Sequence, residues 1–157
     1  MNNNTFGVIG YRRHAEKHID FLSNHKNIER TVVYHPKAKA NWITNRFDDL
    51  LSCAGIIISS PTSTHSQYID LLYKHSYTGG IYLEKPGFAT SREAAHLKEI
   101  ANSTKSLNII IGYNEPYADR TLTLLSLLKR HKIGTIISVS CLSSKGISYK
   151  DGFKNDW

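Results

Sequence analysis

The chain has 157 residues, 40% hydrophobic and 21% charged, the balance of a globular domain with a core of its own. No apolar run approaches the roughly 18 residues that span a bilayer, and Met1 to Thr5 does not read as a secretory leader. The formal charge of +7 favours anionic partners, but the basic residues fall in short scattered clusters. That pattern suits nucleotides or phosphosugars and gives nucleic-acid binding little support.

Phe6 to Gly10 is a short apolar run that predicts a first strand. Glu16 to Ser23 carries Ile19, Phe21 and Leu22 at helical spacing. Arg30 to Tyr34 is β-branched and stopped by Pro36, so it predicts a second strand. Phe47 to Leu51 reads as a short helix with Asp48 and Asp49 in its first turn. Gly55 to Ser59 is almost wholly apolar, as a strand covered on both faces should be. Thr64 to Tyr73 places Tyr68, Ile69, Leu71 and Leu72 on one helix face. Gly80 to Leu83 is the next strand. Thr90-Ser91-Arg92-Glu93 has the pattern of a capping box, opening a helix to about Ala101. Leu107 to Gly112 is a further buried strand, and Ala118 to about His131 a leucine-rich helix. Thr135 to Leu142 is strand-like, and the tail beyond it has no periodicity. Strands alternating with helices in this way predict βαβ units, right-handed crossovers and a parallel, doubly wound α/β sheet.

Cys53 and Cys141 lie in or beside apolar runs, which points to free core thiols in a reducing cytoplasm. No cysteine pair has zinc spacing. His14 and His18 lie four apart, but Glu16 falls one place late for a zincin helix and no third ligand is evident, so no metal site is expected.

The most informative tripeptide is Glu84-Lys85-Pro86. It sets a carboxylate and an ammonium at the carboxyl end of a strand, where open α/β sheets bind ligands. The first strand leads into Gly10-Tyr11-Arg12-Arg13-His14-Ala15, which lies over the pattern G-x-G-x-x-G/A. Gly10 allows the tight turn and Ala15 is an accepted third residue. Arg12 departs from the pattern: it either obstructs the approach of a diphosphate or reaches round to pair with a phosphate. Further along, Ser59-Ser60-Pro61-Thr62-Ser63-Thr64-His65 follows the third long strand, and Gly112-Tyr113-Asn114 ends the strand after Lys85.

Taken in order, Gly7-Val8-Ile9-Gly10 with His18, Pro61-x-x-x-His65, Glu84-Lys85-Pro86 and Gly112-Tyr113-Asn114 resemble the Gfo/Idh/MocA family, the glucose–fructose oxidoreductase and inositol dehydrogenase group. The resemblance runs from Phe6 to Trp157. It implies a Rossmann domain over residues 1–134 that binds NAD or NADP, and the start of a C-terminal substrate domain over residues 135–157. It implies an NAD(P)-dependent oxidoreductase that transfers a hydride to or from a sugar or cyclitol. Lys85 would contact the substrate hydroxyl and the nicotinamide ribose, and Glu84 would hold the cofactor ribose. Pro86 would follow a cis bond, Pro61 and His65 would line the dinucleotide groove, and Asn114 would lie near the nicotinamide. Without the family, His65 reads equally as a capping or surface histidine, and Asn114 as a loop residue bonded to its own backbone.

Where the second strand ends, the family places an acid on the adenosine ribose. This chain has Tyr34-His35-Pro36-Lys37. His35 and Lys37 suit a 2′-phosphate, so NADP is favoured over NAD; the alternative is that both are plain turn residues. The family's acid/base histidine lies beyond the matched segment, so the chain as given is expected to be incomplete for turnover. Thr135–Leu142 would open the second domain, and an apolar strand without its sheet tends to pair with another chain. A homo-oligomer through residues 135–142 is therefore expected. The rival reading is a non-catalytic, degenerate Rossmann module with weak or no cofactor affinity, which Arg12 and the missing acid both favour.

Overall fold

The computed structural model describes residues 4–103, 107–130 and 134–140. The chain divides into two compact units, Met1–Asn114 and Glu115–Trp157.

Among the described residues the first unit is built on six strands: β1 (Thr5–Ile9), β2 (Arg30–Tyr34), β3 (Ile43–Thr44), β4 (Gly55–Ile58), β5 (Gly80–Leu83) and β6 (Asn108–Ile111). All pairings are parallel and the spatial order is β3-β2-β1-β4-β5-β6. This is the doubly wound Rossmann order. The chain runs outward from β1 to β3, then returns to the other side of β1 and runs outward again. The reversal between β1 and β4 is the switch point at which doubly wound sheets open a crevice at the carboxyl ends of their strands.

Among the described residues this unit has three helices: α1 (His14–Asn24), α2 (His65–Lys74) and α3 (Ser91–Ser103). Two 3-10 turns, Phe47–Leu50 and Thr62–Thr64, complete it. On one face Ile9, Ile56, Ile58, Ile81 and Leu83 join Tyr68, Ile69, Leu72 and Ile100 from α2 and α3. On the other, Val8 joins Ala15 and Leu22 of α1, flanked by Phe6, Ile19 and Ile57. Side chains alternate across the pleat, so β1 feeds both layers, Ile9 to one and Val8 to the other.

The capping box forms as its residues predict. Glu93 N–H donates to Thr90 Oγ1 at 3.2 Å, and Thr90 N–H donates back to Glu93 Oε2 at 3.2 Å. Glu93 Oε2 also accepts the N–H of Ala89 at 2.7 Å, which fixes the entry to α3.

Tyr77 closes the bottom of the core. It is buried, and its hydroxyl donates to the Cys53 carbonyl at 2.9 Å. Tyr77→Phe is expected to lower stability by about 1–2 kcal/mol in a urea melt, because the carbonyl loses its donor in a place water does not reach. An unchanged midpoint would mean that water replaces the hydroxyl there.

The second unit contains a 3-10 turn, Glu115–Tyr117, and α4 (Asp119–Lys129). Arg120 pairs with Glu115. No residue of α4 is buried, and Leu122, Leu124, Leu125 and Leu127 are exposed. The expected strand from Thr135 does not form over residues 135–140; Leu142 and the thiol Cys141 lie outside the described residues. Ile136, Ile137 and Val139 have the β-branched composition of a strand and are exposed. A strand exists only in a ladder with a neighbour, and these residues find none among those described.

Candidate functional site

The strand tips carry the site. After β1 the chain turns at Gly10, whose φ is +106°. Its N–H donates to the Tyr34 carbonyl at 3.0 Å, which ties the turn to β2. A Cβ at Gly10 would stand 2.7 Å from the Ser59 carbonyl oxygen at the end of β4. The turn therefore presses against β4 at the reversal point, and only a glycine fits there.

Arg13 follows with φ 54° and ψ −111°, and α1 begins at His14 with no side-chain cap on its first N–H groups. The Ala15 N–H is taken by the Arg12 carbonyl at 3.1 Å, and a helix start without a side-chain cap is a place where an anion can be held. Ala15 is fully buried, so α1 sits close on the sheet, the purpose of the third small residue in the pattern.

Arg12, in place of the second glycine, is exposed and lays its guanidinium over the Tyr11 ring, 5.1 Å from the centroid. Tyr11 makes edge contacts with His35 (4.9 Å between centroids) and with Trp42 (6.5 Å). Arg12 is thus drawn toward the tips of β2 and β3. His35 Nδ1 accepts the Lys37 N–H at 3.2 Å. A neutral imidazole carries one proton, so the other nitrogen, Nε2, is the one left as donor. Tyr11 and Trp42 were not singled out from sequence. Trp42 is 60% exposed and precedes the two-residue strand β3, which has no periodicity to announce it.

His65 lies beneath the tips. It is 1% exposed, with Nε2 2.9 Å from the Ser60 carbonyl oxygen and Nδ1 3.3 Å from that of Gly87. The reading of His65 as a surface histidine is thereby excluded. It links the loop after β4, which contains Pro61, to the loop after β5. Thr64 Oγ1 reinforces the first loop, donating to the Pro61 carbonyl at 2.7 Å, with Ser60 Oγ 2.8 Å away.

Glu84 follows β5 and is half-buried. Its Oε1 lies 2.7 Å from His18 Nε2, and its Oε2 accepts the Lys85 N–H at 3.1 Å. The Lys85–Pro86 bond is cis. Lys85 is exposed, and among the described residues its ammonium meets no hydrogen-bond acceptor. Asn114, also exposed, ends the first unit just past β6. In the sequence His18 stands out for its place in the motif order and for lying four residues from His14, neither of which points to Glu84; that partner lies 66 residues away.

Gly10, Arg12, Ala15, His35, Lys37, Pro61, Glu84, Lys85, Pro86 and Asn114 all belong to the carboxyl-end turns or the helix starts that follow them. The residues fit a dinucleotide: a glycine turn at the reversal point, an uncapped helix start, a small buried residue behind it, and cations at the β2 tip. Together they define a Rossmann-type nucleotide-binding domain.

Residues 4–113 match the family described as oxidoreductase, NAD-binding Rossmann fold (GFO_IDH_MocA), and the chain belongs to that family. No curated protein matches it in sequence. Among solved structures it is similar to myo-inositol 2-dehydrogenase from Lactobacillus plantarum, with TM-score 0.69, 18% identity, and coverage of 85% of this chain and 43% of that one. It is similar to scyllo-inositol dehydrogenase from Lactobacillus casei with bound NAD(H) and scyllo-inositol, with TM-score 0.69, 18% identity, and coverage of 84% and 42%. An oxidoreductase from Bacillus cereus gives TM-score 0.67, 20% identity, and coverage of 85% and 41%. The chain thus spans less than half the length of each of these structures.

Proposed function

We propose that this chain is the dinucleotide-binding part of an NAD(P)-dependent oxidoreductase acting on a sugar or cyclitol. The observation that carries the reading is the pairing of a glycine turn at the strand reversal with the exposed Lys85 ammonium at the tip of β5. The first suits a diphosphate. The second suits an oxygen on a neighbouring substrate, toward which Lys85 would donate a hydrogen bond and hold positive charge. The dinucleotide supplies the redox chemistry, a hydride at the nicotinamide C4. Glu84 would accept from the nicotinamide ribose, and Asn114 would lie near that ring. Pro61 would border the groove, with His65 holding its loop from below.

We assign the preference to NADP. His35 and Lys37 follow the β2 tip, Arg12 lies over the Tyr11 ring that meets His35, and none of the four residues Tyr34 to Lys37 is an acid. A ribose diol wants an acceptor; a 2′-phosphate wants donors, and these residues supply them. Titration by nucleotide fluorescence is expected to show NADPH binding more tightly than NADH. The double change His35→Ala, Lys37→Ala should weaken NADPH by about tenfold or more and leave NADH nearly unmoved, the scale of a lost charge-assisted bond. Equal loss for both nucleotides would reject the phosphate assignment. No saturable binding of either at millimolar concentration would reject the dinucleotide reading and favour a module whose Arg12 has closed the groove.

A further inference from the structure

We infer that His18 is a positioning residue that sets the Glu84 carboxylate for the nicotinamide half of the dinucleotide. The inference rests on the dinucleotide reading above and adds to it a second residue that acts through Glu84. His18 lies on α1, the helix that starts at the glycine turn, and reaches across to the end of β5. Its Nε2 meets Glu84 Oε1 at 2.7 Å, with side chains 24% and 14% exposed. The other oxygen, Oε2, accepts the Lys85 N–H. One bond on each oxygen fixes the plane of the carboxylate and leaves each oxygen a lone-pair direction for a ligand hydroxyl.

His18 is itself held. Its ring lies against Tyr82 with centroids 5.5 Å apart and planes at 63°. Tyr82 in turn lies over Gly112, where a Cβ would stand 2.3 Å from the tyrosine oxygen. The absence of a side chain at Gly112 gives Tyr82 its place, Tyr82 backs His18, and His18 aims Glu84. The series joins the helix start that would face the diphosphate to the carboxylate that would face the nicotinamide ribose.

The test separates the two halves of the ligand. His18→Ala is expected to weaken NADPH about tenfold, as for a hydrogen bond to a charged group lost from the site. The same variant should bind 2′,5′-ADP, which lacks the nicotinamide half, within twofold of the parent chain. His18→Gln keeps an N–H at similar reach and should recover most of the NADPH affinity. Adding His18→Ala to Glu84→Gln should cost no more than Glu84→Gln alone, because both act at one carboxylate. Equal losses for NADPH and 2′,5′-ADP would show a merely structural role and overturn the inference, as would an unchanged NADPH affinity or additive losses in the double variant. Should His18→Ala not fold, Gly112→Ala, which displaces the Tyr82 ring, is expected to show the same split between the two ligands; equal losses there would overturn it. A parent chain that binds neither ligand would bring down the dinucleotide reading itself, an outcome distinct from a parent that binds and a His18 variant that binds equally.

Discussion

Replacing Gly10 by valine is expected to destabilise the chain by about 3–5 kcal/mol and to abolish nucleotide binding. Two independent costs add. The φ of +106° lies outside the regions open to a β-branched residue, a strain of order 1–3 kcal/mol. The new Cβ would also sit 2.7 Å from the Ser59 carbonyl oxygen, a backbone atom that cannot rotate aside. Relief requires β1 and β4 to part at their carboxyl ends, where the diphosphate would enter. Gly80 gives the matched control: no atom lies within 4 Å of its would-be Cβ, and its φ is unremarkable. Gly80→Ala should leave the urea midpoint unchanged or raise it, since a strand glycine carries excess freedom into the unfolded chain. If both variants melt alike, the close approach at Gly10 does not hold in solution.

Stability is also expected to fall steeply above pH 9. Burial pushes the Cys53 thiol up to about 11 from 9.0, with nearby Arg30 opposing in part. The folded chain therefore keeps the proton through a range in which the unfolded chain has released it. With fewer protons on the unfolded state, stability is full below pH 9 and is lost as pH rises toward 11. The loss approaches about 3 kcal/mol from this group, near 1.4 kcal/mol for each pH unit. Burial raises Tyr34, Tyr68 and Tyr77 as well, so the decline continues at higher pH. Urea midpoints at pH 8, 9, 10 and 11 should show the slope, and Cys53→Ala should flatten it by about one proton between 9 and 11. An equally steep slope in that variant would assign the effect to the tyrosines alone.

The parts of the fold legible in the sequence are those whose signal is local. Arg30–Tyr34 and Gly80–Leu83 read as strands to the residue because each is a β-branched or aromatic run cut off by turn residues. The box at Thr90 and Glu93 read correctly because both partners lie within four residues. β3 did not, since two residues have no period; Ile43 and Thr44 become a strand only by pairing with Val33 and Tyr34. α1 opens two residues before its apolar pattern because Arg13 adopts a positive φ that no propensity of arginine announces. Residues 135–140 show the converse: strand composition with no ladder among the described residues.

The site divides in the same way. Glu84-Lys85-Pro86 and Gly10 were visible as motifs. The hold of His18 on Glu84 and of His65 on Ser60 and Gly87 was not, because these contacts span up to 66 residues. For His65 the neighbours are two backbone carbonyls, of which a neutral ring can donate to only one, and any sequence could supply them.

That buried imidazole has a mechanical consequence. Its ring sits under the two crossovers that leave β4 and β5, within reach of a carbonyl in each, so the β4 side of the strand reversal is held in place before any guest arrives. A ligand docking there would find little freedom left to remove, and that would favour its affinity.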